Sequence, residues 1–78
     1  MNEQLKLFTP PQEPTSKQHI AILSHLRQGL TITALDALRI AGSMKLASRI
    51  GELKKMGWDI KSEIIQTETG KHVSRYWL

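Results

Sequence analysis

At Gly57 the apolar spacing of this 78-residue chain changes from a period near 3.6 to a period of 2. Before it, Ile22, Leu23 and Leu26, and then Leu46, Ile50 and Leu53, recur at helical intervals. After it, Trp58, Ile60 and Ile64 alternate with Asp59, Lys61 and Glu63, as on a strand with one covered face. Helices followed by strands, rather than interleaved with them, predict a segregated α+β arrangement with the sheet at the C-terminal end. With 40% apolar and 23% charged residues, such a chain supplies the core of one small domain.

The punctuation between these runs sets the elements. Thr15 or Ser16 can cap a first helix over about Lys17–Gln28, with His19 beside its apolar face, Ile20 at its margin and Gly29 closing it. Leu30-Thr31-Ile32 is a brief β-prone stretch. Thr33 and Asp36 stand in capping-box positions for a second helix, although Asp replaces the usual Glu or Gln. Leu35, Leu38 and the small Ala34, Ala37 and Ala41 make that helix short and close-packing, and Gly42 ends it. Ser43 is read as the cap of a third helix, about Met44–Met56. Glu68-Thr69-Gly70 is the turn of a hairpin whose second strand is Lys71–Leu78; its alternation allows either Tyr76 with Leu78 or Val73 with Trp77 to face inward, and the first is favoured, with Trp77 partly exposed.

Three helices, the last two joined by a tight glycine turn, and then a hairpin describe a winged helix-turn-helix. In that arrangement the third helix enters the DNA major groove and the hairpin is the wing. With Leu46, Ile50 and Leu53 inward, Ser43, Met44, Lys45, Ser48, Arg49, Glu52 and Lys55 become the candidate DNA-contacting residues of the third helix. Arg49 lies near the core margin, where an acidic neighbour is an equally good partner. On the wing, Thr67, Thr69, Lys71 and His72 suit phosphate.

The same residues carry a family resemblance. Ile22-Leu23-x-x-Leu26-x-x-Gly29-Leu30-Thr31-Ile32-Thr33, Asp36-Ala37-Leu38, Leu46-Ala47-Ser48-Arg49-Ile50-x-x-Leu53-Lys54-x-x-Gly57-Trp58-x-Ile60 and Arg75-Tyr76-x-Leu78 resemble the small helix-turn-helix domains of bacteriophages and prophages. The resemblance spans residues 16–78 and implies a winged-helix fold and DNA binding in phage gene regulation. Asp36 stands where the family usually has Glu. Because the matching positions are mostly packing residues, the resemblance bears on the fold and not on any operator sequence.

The N-terminal residues 1–14 read as a flexible tail, with Thr9-Pro10-Pro11-Gln12-Glu13-Pro14 an extended spacer before a domain over 15–78. Within the tail, Gln4-Leu5-Lys6-Leu7-Phe8 resembles the pentapeptide by which many bacterial replication and repair proteins bind the DNA polymerase sliding clamp. That resemblance makes Gln4, Leu5, Leu7 and Phe8 candidate partner-binding residues. Lys6 departs from the Ser or Asp usual in that motif.

Charge points the same way as topology. The chain carries +4, and because Glu3, Lys6 and Glu13 leave residues 1–14 at −1, the domain carries +5. A basic domain of this size is expected to bind a polyanion, with double-stranded DNA the first candidate. Repression, activation and an excisionase-like architectural role are all open, as is a rival adaptor reading in which the domain docks on replication or transcription machinery. One winged helix touches few base pairs, so a homodimer or a tandem site is expected, with helix 1, the hairpin edge or Trp77 as the contact.

Several classes are excluded by what is missing. There is no cysteine, and His19, His25 and His72 lack metal-ligand spacing, so no metal and no cofactor is expected. Nothing orients a nucleophile, no glycine-rich phosphate loop occurs, and no catalytic residue is assigned. No apolar run reaches the length of a membrane span, and no secretory pattern begins the chain, so a cytoplasmic protein with no membrane partner is expected.

Overall fold

In a computed structural model that describes residues 10–78, the chain forms three helices and a two-stranded hairpin. Helix α1 (Lys17–Arg27) buries Ile22, Leu23 and Leu26, and its Ser16 N-cap makes no side-chain capping bond. Ile32 forms a single bridge to Tyr76, with backbone N–H···O bonds of 2.9 Å in both directions. The β-prone Leu30–Ile32 stretch is thereby reduced to one residue that ties the linker to the hairpin.

Helix α2 (Ala34–Ala41) starts with the expected capping box. The Asp36 carboxylate accepts from the Thr33 N–H at 2.9 Å, and the Asp36 N–H donates to the Thr33 hydroxyl at 3.4 Å, so Asp substitutes for Glu across the shorter reach. Only Ala37 of α2 is buried. Leu35 and Leu38, expected in its packing face, are exposed, because the helix meets its neighbours through its small residues.

Gly42 takes a left-handed conformation (φ 63°) and turns the chain sharply into the next helix. The Ser43 N–H donates to the Ala37 carbonyl at 3.2 Å, and the Ser43 hydroxyl accepts from the Lys45 N–H at 3.2 Å. Ser43 is therefore a turn residue, 1% exposed, and not the helix cap. Helix α3 (Leu46–Lys55) starts two residues later than the spacing predicts, after Lys45, and buries Leu46, Ile50 and Leu53.

Strands β1 (Lys61–Gln66) and β2 (His72–Trp77) pair antiparallel, with Ser62 opposite Tyr76 and Ile64 opposite Ser74. The core joins Ile22, Leu23, Leu26, Ile32, Ala37, Leu46, Ile50, Leu53 and Ile60, with Ala41, Met56, Trp58 and Tyr76 packed at its edge. Each large aliphatic side chain there contributes about 1.5–3 kcal/mol over an exposed one. Tyr76 faces inward as expected and Trp77 is half-buried, but Leu78, expected inward, is exposed, because it lies past the end of β2 and packs on no part of the core. Ile64 is a correction: it is 72% exposed, because the hairpin projects past the helices and no described residue covers its outer half.

The proline-rich segment is extended but docked, not a free spacer. The Gln12 N–H donates to the Met56 carbonyl at 2.9 Å, and Trp58 Nε1 donates to the Gln12 carbonyl at 2.8 Å. Arg27 grips Glu13 with both arms of its guanidinium, at 3.0 and 2.6 Å, and lies 4.3 Å above the Trp58 ring. Pro14 is buried. Gly57, at φ 105°, sits where a Cβ would come within 3.2 Å of Pro11. The Gln4–Phe8 peptide lies outside the described residues. No helix among the described residues is long and apolar enough to cross a membrane.

Candidate nucleic-acid interface

Helix α3 is held on the core by three side chains one helical turn apart, so two flanks and an outer face remain available. The flank toward α1 is occupied. Arg49 Nε donates to Gln18 Oε1 at 3.1 Å, Arg49 Nη1 donates to Glu52 Oε1 at 2.7 Å, and His19 Nε2 donates to the same Glu52 oxygen at 2.8 Å. Hydrogen bonding from Arg49 first, and from His19 second, holds the Glu52 carboxyl below its ordinary value of 4.5. Of the expected base-reading residues, Arg49 and Glu52 are thus engaged within the chain, fastening α3 to α1.

The other flank opens into a cleft of about 400 Å³ between the start of α3 and strand β2. Met44, Lys45, Ala47 and Ser48 line one side, Val73, Ser74 and Tyr76 the other, and Ala34 and Leu46 complete the lining. Gly51 and Lys55 continue the Met44–Ser48 row along α3, at helical spacing, and both are exposed. Lys54 continues the Ala47 row, seven residues on, and is exposed too. Met44, Lys45, Ser48 and Lys55 therefore share one open surface, whereas Ser43 is buried beneath the turn and leaves the set.

The wing tip completes this surface. The Thr67 N–H donates to the Lys71 carbonyl at 2.8 Å, the Lys71 N–H donates to the Thr67 hydroxyl at 3.2 Å, and Gly70 carries the positive φ of the turn. Thr69, Lys71 and His72 are exposed there, beside the equally exposed Glu68. His72 lies opposite Gln66 on the same face of the hairpin as Ser74 and Tyr76.

The pairing of charges separates two kinds of cation. All four arginines stand in ion pairs: Arg27 with Glu13, Arg39 with Asp36 at 3.9 Å, Arg49 with Glu52, and Arg75 with Glu63. Lys61 reaches Asp59 at 3.6 Å. Among the described residues, Lys17, Lys45, Lys54, Lys55 and Lys71 make no ion pair; Lys17 starts α1, and the other four lie along or just before α3 and at the wing tip. Sequence spacing alone missed Lys54, whose signal is its seven-residue offset from Ala47. It also missed Ser74, whose place depends on the hairpin register.

A family model described as a winged helix-turn-helix domain matches residues 17–78. No curated protein and no solved structure matches the chain.

Proposed function

The chain belongs to the winged helix-turn-helix family, and from that membership we propose that it is a sequence-specific binder of double-stranded DNA acting in phage or prophage transcriptional regulation. DNA binding as such is what the fold suggests. The observation that supports duplex contact, and where it lies, is the lysine surface: Lys45, Lys54 and Lys55 on the open side of α3, and Lys71 on the wing tip, without acidic partners among the described residues; the regulatory role rests on the sequence resemblance alone. Unpaired ammonium groups along a projecting helix suit a phosphate backbone, whose condensed counterions they would release. Met44, Lys45, Ser48 and Lys55 are the proposed α3 contacts, and Thr69, Lys71 and His72 those of the wing.

The test is fluorescence anisotropy of the whole chain with a mixed-sequence duplex at two salt concentrations. Micromolar binding that weakens steeply with salt supports the reading; no binding at low salt defeats it.

One observation favours the adaptor reading beside it: Leu35 and Leu38 leave α2 an exposed apolar edge. In that reading the Gln4–Phe8 peptide tethers a sliding clamp while the domain docks elsewhere. Capture of the clamp by the whole chain, lost on replacing Leu7 and Phe8 by Ala, would support it, and a clamp that ignores the wild-type chain would end it.

A further inference from the structure

Met44 is the most exposed large apolar side chain among the described residues, at 87%, and Ile64 follows at 72%. Neither contributes to the core, so folding does not explain either. Met44 lines the cleft from the turn before α3, whereas Ile64 lies outside its lining, paired with the cleft-lining Ser74 on the wing. The position of Met44 is that of the leading end of a helix, the end which reaches base edges when a helix of this kind enters the major groove. Lys45 follows it directly, and Lys55 lies farther along the same face, so the apolar group is framed by cations that suit phosphate.

The usual bidentate reader of guanine is an arginine, and here every arginine is in an ion pair within the chain. What the open side of α3 offers to base edges is a thioether, a small methyl at Ala47, a hydroxyl at Ser48 and flexible ammonium groups. Of the groups in the major groove, the thymine C5-methyl is the one an unbranched apolar side chain complements.

Resting on the proposed duplex-DNA function, we infer that Met44 is a specificity-determining residue that packs on a thymine methyl in the major groove. The chain then prefers thymine at one position of its site through apolar contact rather than through hydrogen bonds. Replacing thymine by deoxyuridine removes that methyl and leaves Watson–Crick pairing unchanged.

The experiment uses duplexes enriched by the full chain from a random pool, resynthesised with deoxyuridine in place of thymine. Wild type is expected to bind the deoxyuridine duplex about three- to fivefold more weakly, the worth of one buried methyl. Met44→Ala should bind both duplexes alike, and Met44→Leu should restore the thymine preference. Because Met44 is exposed, each variant should melt with the wild type, which separates recognition from folding.

Equal wild-type affinity for the two duplexes, or a thymine preference that survives in Met44→Ala, overturns the inference while leaving DNA binding standing. Equal losses on both duplexes in Met44→Ala also overturn it, since a side chain wedged between bases behaves that way. Failure to bind any duplex at low salt removes the function on which it rests.

Discussion

On the flank of α3 turned to α1, Arg49 and Glu52 are bonded to Gln18 and His19; on the flank turned to the wing, Ala47 and Ser48 look into a cleft, and the lysines around them have no ion-pair partner among the described residues. Both flanks are polar, and both fall outside the apolar stripe of Leu46, Ile50 and Leu53. The difference comes from what lies opposite. α1 presents an amide and an imidazole within hydrogen-bonding distance, whereas β2 stands across an open cleft. A polar face on an amphipathic helix is therefore not a single surface: one side can hold the helix in place while the other meets a ligand.

The strongest way to break this contrast is to remove charge from the open side. Lys45→Ala combined with Lys55→Ala should lower duplex affinity at low salt by about one to two orders of magnitude and flatten the salt slope by about 1.8. Its melting temperature should match wild type. Unchanged binding, read by anisotropy across a salt series, would mean that DNA lies elsewhere.

A substitution at the far end of α3 tests whether anchoring and binding separate. Gly57→Ala forces a side chain into left-handed backbone and toward Pro11, and should cost about 1–2 kcal/mol in a denaturant melt. Duplex affinity of the folded fraction should hold.

On the occupied flank, Arg49→Ala removes hydrogen bonds to Gln18 and Glu52 and should lower stability by about 1 kcal/mol. Its duplex affinity should stay within about threefold of wild type. A large loss of affinity with little loss of stability would invert the comparison, making Arg49 a DNA contact that only rests on Glu52.

The smallest effect is one of pH. The folded-state pKa of Glu52 is lowered, so its contribution to stability is present above the ordinary carboxylate range and fades as pH falls below about 4.5 toward the folded value. Glu52→Gln should lower the melting temperature slightly at neutral pH, leave it nearly unchanged at the acid end, and so flatten the acid limb of the profile.

These contrasts also show where the sequence was legible. The helices and the capping box follow from local periodicity and from residues within one turn of each other, whereas the facing of the second strand is settled by the bridge between Tyr76 and Ile32. Ser43 did not, because a serine that caps a helix and one that closes a tight turn look alike in sequence. The left-handed Gly42 decides between them by turning Ser43 inward. Ile64 misled because alternation marks one face of a strand and not whether anything packs on it.

The Arg49–Glu52 pair lies three positions apart and is within reach of spacing, but what fastens it to α1 is Gln18 and His19, more than thirty positions away in sequence. No spacing rule reaches that far, and the same holds for the docked segment. Its prolines announce extension, but its place depends on Trp58 and Met56 across the fold.

Backbone amide shift mapping of the whole chain as a duplex is added is the most direct test of DNA contact by α3 and the wing. That contact should move amides of Met44, Lys45, Ala47, Ser48, Gly51 and Lys55, together with Thr69, Lys71 and His72 on the wing, while Gln18 and His19 stay still. Shifts centred on α1 or on Leu35 and Leu38, with the open side of α3 silent, would contradict it.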